Sequence, residues 1–220
     1  MNEFYEKNII SVRDLDKQKL ELIFDATDKI IDMSQDKRRE IARGKTLGYL
    51  FFEPSTRTRL SFESAIALLG GTSLGIADAT SSSIHKGETL GDTVKVISSY
   101  CDVLVLRHSL DGSSRFAAEI SNKPVINAGS GTEEHPTQTI QDLFTIKKEK
   151  KKIDGLKIGI TGDLKYGRTV YSLLYGLRNY DVDYILSPLN LLEFVLTLPM
   201  TLKKNYHTQN RQILMNILKI

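Results

Sequence analysis

The sequence predicts an α/β fold, a parallel sheet with helices on both faces, arranged as two domains of which the second is incomplete. Three observations predict it. Short apolar runs such as Leu47-Gly48-Tyr49-Leu50-Phe51-Phe52 and Val103-Leu104-Val105-Leu106 have the length of buried strands. Between them lie segments with apolar residues at helical spacing, as in Phe62, Ala65, Ile66 and Leu69. The strand, helix, strand order then repeats along most of the 220 residues, and parallel neighbours need such crossovers.

The elements follow in order. Leu47 to Phe52 is the first strand, and the helix carrying Phe62 to Leu69 stops at Gly70-Gly71. Thr72 to Ala77 is a second strand, and Leu90, Val94 and Ile97 mark a second helix. Val103 to Leu106 is a third strand, Ser114 to Ile120 a short helix, and Pro124 to Asn127 a fourth strand. His135 to Lys152 reads as one long helix. Pro136 suits its first turn, where a missing amide hydrogen costs nothing, and its lysine-rich end suits the helix dipole. After Asp154-Gly155 the pattern restarts with strand Leu156 to Ile160, helix Arg168 to Arg178 and strand Val182 to Leu186.

This order predicts a first domain over 1–134, a linking helix over 135–152 and a second domain over 153–220. Two strands are too few for an independent core of the usual size. The composition changes after Ser187: Asn190 to Pro199 has apolar residues all round, and Lys203 to Ile220 shows no clean period. A truncation or a shifted reading frame would produce such a tail.

Composition narrows the function. The hydrophobic share is 40% and the formal net charge is +3, so a core can form and the charge is near balance. No basic stripe comes with interleaved aromatics, which argues against nucleic acid. No apolar run approaches the ~20 residues that cross a bilayer. Met1 to Glu6 lacks the apolar core of a signal peptide, and a soluble cytoplasmic protein is expected. The single cysteine, Cys101, excludes an internal disulfide and a cysteine-rich metal site. It reads as a small buried residue.

Five segments carry chemistry, each following or ending a predicted strand. Ser55-Thr56-Arg57-Thr58-Arg59 follows a strand and opens a helix, where unpaired amide hydrogens and a partial positive charge make an anion site. Ser55 is placed to cap the helix, and Arg57 can make two parallel bonds to a phosphate. Arg57 and Arg59 point to nearly opposite sides of a helix, so Arg57 is assigned to ligand and Arg59 to structure. Ser81 to Thr89, with Ser82 and Lys86, is a polar loop that local sequence cannot distinguish from a solvated one. Arg107 ends a strand, where ligands of open parallel sheets bind. His135 and Gln138 share a face of the long helix, and His135 can donate to a developing oxyanion. Arg168 opens the next helix, where it could grip a carboxylate. Asn127 to Gly131 lacks the third glycine of a dinucleotide fingerprint.

These residues resemble a known family. Phe52-Glu53-Pro54-Ser55-Thr56-Arg57-Thr58-Arg59, Lys86-Gly87-Glu88-Thr89-Leu90, Arg107-His108, His135-Pro136-Thr137-Gln138-Thr139 and Gly162-Asp163-Leu164-Lys165-Tyr166-Gly167-Arg168-Thr169-Val170 are similar to the catalytic chains of the aspartate carbamoyltransferases. They keep the family's order over residues 51–170. The hydroxyl-and-arginine loop is shared with ornithine carbamoyltransferases, whereas the Lys86 and Gly162 segments resemble the aspartate enzymes.

The resemblance implies transfer of the carbamoyl group of carbamoyl phosphate to the amine of L-aspartate, giving N-carbamoyl-L-aspartate and phosphate, an early step of pyrimidine biosynthesis. It implies that Ser55, Thr56, Arg57 and Thr58 hold the phosphate, that Thr58, Arg107 and His135 polarise the carbamoyl carbonyl, and that Gln138 contacts the carbamoyl amide. It assigns Arg168 to an aspartate carboxylate. Ser82 and Lys86 would reach the site of a neighbouring subunit, with Lys86 also on the aspartate side, which implies a homotrimer and leaves room for a regulatory partner chain. The reaction needs no metal, cofactor or covalent nucleophile. Family segments that line the site from the second domain have no counterpart here, so carbamoyl-phosphate contacts are expected to be fuller than aspartate contacts. The competing reading is a non-catalytic carbamoyl-phosphate-binding or assembly module.

Overall fold

The computed structural model describes residues 3–78, 86–164 and 167–188. Ser82, Lys165, Tyr166 and the tail after residue 188 lie outside the described residues. Four parallel strands, β1 (Thr46–Phe51), β2 (Thr72–Ile76), β3 (Val103–His108) and β4 (Val125–Ser130), form one sheet in the order β2-β1-β3-β4. A second sheet pairs β5 (Lys157–Gly162) with β6 (Asp183–Pro188), also in parallel. The helices are α1 (Lys17–Asp32), α2 (Gln35–Ile41), α3 (Thr56–Leu68), α4 (Leu90–Ser98), α5 (Ser113–Ile120), α6 (Pro136–Lys150) and α7 (Arg168–Leu177).

Both faces of the larger sheet are covered, and the two-residue period of a strand decides which side chain meets which layer. Leu50, Leu104, Leu106 and Val125 pack with Val94 of α4 and Ala117 of α5. Leu47, Phe51, Val105 and Ala128 point the other way, to Ala42 after α2 and Ile66 of α3. The residues of β3 thus alternate between the two cores, which is why its run reads as continuously apolar.

Strand and helix boundaries agree with expectation to within one to three residues. The long helix starts at Pro136 and ends at Lys150, because Lys151 takes a left-handed conformation (φ 65°) and closes it. The fourth strand runs on to Ser130, further than its apolar core suggests. Two elements were not expected: α1 and α2 fill residues to which no element was assigned. Asp16 caps α1 by accepting from the Lys19 amide at 2.8 Å. Leu20 and Phe24 of α1 are fully buried against Leu143 of α6 and Leu177 of α7.

The chain ahead of α1 stitches these layers together. The Ile9 amide donates to the Val125 carbonyl and the Asn127 amide to Ile9, both at 2.9 Å, so the segment lies along β4 like a further strand. Val12 then enters the core of the smaller sheet, beside Leu164, Leu174, Tyr184 and Leu186. Helices α6 and α7 cross closely at Gly176, where an added Cβ would stand 2.6 Å from Thr139 Cγ2 and 2.9 Å from Leu143 Cδ1. Gly176→Val should therefore overpack this crossing and cost about 1–3 kcal/mol, seen as a lower urea midpoint at unchanged slope.

Candidate functional site

A cleft of about 810 Å³ opens at the carboxyl ends of the strands. Its walls come from the turn after β1, the last residues of β3, the loop after β4 and the starts of α6 and α7. Ser55, Arg57, Thr58, Arg107, His135, Gln138 and Arg168 all line it. Sequence reasoning assembled these seven from four separate segments, and the fold brings them together. Thr56 opens α3 but does not line the cleft, and neither does Lys86, which is exposed. Arg59 turns aside and pairs with Glu63 at 3.5 Å, as the helical spacing requires.

The loop after β1 is arranged for an anion. Ser55 occupies the cap position of α3, yet its hydroxyl makes no capping bond, which leaves that hydroxyl to a ligand. Arg107 reaches across the sheet ends, donating from Nη1 to the Ala128 carbonyl at 3.1 Å. Gly129 makes room for it: its φ is +120°, and a Cβ there would stand 2.9 Å from Arg107 Nη1 and 3.4 Å from Arg168 Nη1.

Glu53 is the site residue that sequence reasoning missed. Its Oε1 accepts from Arg107 Nη2 and from Arg168 Nη2, both at 2.5 Å. Burial alone would raise the Glu53 carboxyl pKa, but the Arg168 hydrogen bond and the charges of Arg107 and Arg168 outweigh it and hold it below the usual carboxylate range. The available signal was an acid directly ahead of a loop rich in cationic and hydroxyl groups. Even with Glu53 in place, Arg107 Nε and Arg168 Nη1 are buried and have no acceptor. Buried charged donors without partners are costly, and two of them on one cleft mark a place where acceptor oxygens belong.

His135 is 6% exposed and precedes α6. Burial, then the charges of Arg107 and Arg168, lower its pKa to about 4 against the opposing pull of Glu53. The ring is neutral at pH 7 and can donate from one nitrogen without adding a charge to an already cationic cleft. Its backbone amide donates to Ser172 Oγ at 2.8 Å, and that hydroxyl donates to the Arg168 carbonyl at 2.9 Å, which ties α6 to α7. The Gln138 amide donates to Asp142 at 2.9 Å, and its carbonyl end belongs to a side chain that faces the cleft.

Among the described residues no group of three or more His, Cys, Asp and Glu could hold a metal ion, and no helix is long and apolar enough to cross a membrane. The fold and the cleft define an α/β protein with a cationic ligand site where parallel strands end.

Residues 7–148, well over half of the chain, match the family described as aspartate/ornithine carbamoyltransferase, carbamoyl-P binding domain, and the chain belongs to that family. The aspartate carbamoyltransferase catalytic subunit of Nitrosopumilus maritimus is 74% identical over 189 residues, 86% of this chain and 61% of that protein. The catalytic subunit of M. jannaschii aspartate transcarbamoylase superposes with a TM-score of 0.82 at 44% identity, covering 93% of this chain and 66% of that one. Aspartate transcarbamoylase from Trypanosoma cruzi, solved with carbamoyl phosphate and aspartate, gives 0.73 at 39% identity, covering 80% and 59%. The chain thus spans about three fifths of the length of the curated relatives it matches.

The His135 environment has a measurable consequence. The unfolded chain takes up a proton near pH 6.5 that the folded chain refuses until about pH 4, so stability falls as pH drops through that window. Urea unfolding should lose on the order of 2–3 kcal/mol between pH 6.5 and 4.5, and His135→Gln should lose less.

Proposed function

We propose that this chain binds carbamoyl phosphate in the cleft and transfers its carbamoyl group to the amine of L-aspartate, releasing phosphate, an early step of pyrimidine biosynthesis. The observation that carries the reading is the pair of buried arginine donors without acceptors beside a helix start with a free Ser55 hydroxyl. Ser55, Thr56, Arg57 and Thr58 are assigned to the phosphate, with Thr56 acting through the first turn of α3 rather than from the cleft wall. Arg107, Thr58 and neutral His135 are assigned to the carbamoyl oxygen, and Gln138 to the carbamoyl amide. Arg168 and Lys86 are assigned to aspartate.

The chemistry is coherent with that placement. The uncharged aspartate amine attacks the carbamoyl carbon and its electron pair forms the C–N bond. The carbonyl electrons move to oxygen, where Arg107, Thr58 and His135 stabilise the oxyanion. The oxyanion collapses, the C–O bond to phosphate breaks, and phosphate leaves with that electron pair onto Arg57 and the α3 amides. The nitrogen passes its extra proton to an oxygen of the departing phosphate. Holding both reactants in one cleft supplies much of the remaining acceleration.

Ser82 and Lys86 are assigned to a neighbouring copy's cleft in a homotrimer. Lys86 is exposed and outside its own chain's cleft, and Leu60 and Leu68 of α3 are 48% and 57% exposed, as a face awaiting a second copy would be. Sedimentation at three chain masses fits this assignment, and one chain mass at assay concentration removes it. The division into a carbamoyl-phosphate domain over 1–134, a linking helix over 135–152 and a second domain from 153 is part of the same reading.

A second reading has an observation in its favour. Among the described residues, Arg168 is the one cation that the chain beyond residue 152 contributes to the cleft, whereas aspartate carries two carboxylates. A module that binds carbamoyl phosphate without transferring it would need no more. Calorimetry separates the two: both require carbamoyl phosphate to bind, and only transfer requires aspartate to bind afterwards and carbamoyl aspartate to appear. Under either reading Arg57→Ala should weaken carbamoyl phosphate binding about 10–100-fold, the loss of a charge-assisted bidentate contact. Unchanged affinity would remove Arg57 from the site.

A further inference from the structure

Glu134 stands directly before His135, and the reading above gives it no task. It is 6% exposed, and its carboxylate is filled by three consecutive residues of the N-terminal segment. Ser11 Oγ lies 2.8 and 2.9 Å from the two carboxylate oxygens, the Val12 amide donates at 2.8 Å, and Arg13 Nε stands 3.1 Å away. Each of those residues is itself held. Val12 is fully buried in the core of the smaller sheet, the Arg13 guanidinium lies 4.3 Å above the Tyr175 ring, and Ser11 Oγ accepts from the Arg13 amide. On the other side the Glu134 carbonyl accepts from the Ser130 amide at 3.1 Å, which closes the loop after β4.

We propose that Glu134 is a positioning residue, a buried clasp by which the segment Ser11–Arg13 fixes the His135 loop against α7 and so sets where His135 stands in the cleft. The carboxylate has the right chemistry. Two oxygens offer about four acceptor sites, enough for a hydroxyl, an amide and a guanidinium at once, whereas a side chain without an acceptor would strand the Val12 amide in an apolar core. The clasp also lies on the short path between the two sheets. It joins β4, which pairs with Ile9, to the Val12 plug beneath α7, the helix whose first residue is Arg168.

The proposal rests on the carbamoyltransferase reading only for the use that His135 is put to, and the test keeps the two apart. Imidazole signals of the full chain are followed by NMR against pH in wild type, Glu134→Ala, Glu134→Gln and Ser11→Ala, with His135 assigned from His135→Gln. The charged groups facing His135 are Arg107, Arg168 and Glu53, and none is altered. Ala and Gln remove the same charge, which by itself would push His135 lower, but only Gln keeps an acceptor for the Val12 amide.

A clasp predicts that Glu134→Ala exposes the ring and moves its midpoint up from about 4 by about one unit or more relative to Glu134→Gln. It also predicts about tenfold weaker carbamoyl phosphate binding in the alanine variant than in the glutamine one. Equal His135 midpoints in the two folded variants overturn it. Should Glu134→Ala not fold, Ser11→Ala decides by the same readout: a rise of about half a unit supports the clasp and no rise overturns it. If wild type fails to bind carbamoyl phosphate while the midpoints separate, the functional reading falls and the clasp stands.

Discussion

The Glu53 carboxylate, shared between Arg107 and Arg168, is the interaction on which the site depends. Cationic side chains gathered at strand ends, partly out of water, repel one another, and the cost of each rises as the local dielectric falls. Glu53 meets that cost without filling the cleft, since it satisfies one guanidinium nitrogen of each arginine and leaves another donor of each without an acceptor. The arrangement is an internal counter-ion that leaves arginine donors unpaired, and it forms where β1, β3 and β5 all end toward the same opening. Gly129 allows the approach by giving up its side chain.

The rest of the fold holds those three strand ends in register. Parallel pairing aligns Phe51 of β1 with Arg107 of β3, so Glu53, two residues beyond Phe51, lies just past the strand end where the Arg107 side chain reaches it. The smaller sheet is brought to the opening by α6 and α7, locked at Gly176, and by Val12 inserted from the far end of the chain. One segment of five residues, Ile9 to Arg13, thereby touches β4, the His135 loop and the core under α7. Little of this is local, so the site's geometry is a property of the assembled core.

That division explains what the sequence disclosed. The β1 and β3 segments were legible because buried parallel strands leave short continuous apolar runs, α6 because Pro136 and a lysine-rich end mark its two termini, and strand ends then pointed to Ser55, Arg107 and His135. The opposed directions of Arg57 and Arg59 followed from helix geometry alone, and the Arg59–Glu63 pair fits them. Helix α1 was overlooked although Asp16 caps it, Leu20 and Phe24 form an i, i+4 pair, and its apolar and charged faces are as well separated as those of α4. Glu53 and Glu134 were illegible for a different reason. An acid beside a cationic motif, or before a histidine, reads as solvated until the partners from distant segments are placed around it.

The central claim is that Glu53 is the internal counter-ion of Arg107 and Arg168, offsetting charge that the cleft would otherwise offer to an anion. Its direct test is the affinity of the full chain for inorganic phosphate in wild type and Glu53→Gln, measured by calorimetry at pH 7 and fixed ionic strength. The account predicts tighter phosphate binding in Glu53→Gln, by about fivefold or more, because the competing carboxylate is gone while the arginines remain. Weaker or equal binding in a folded variant would contradict it.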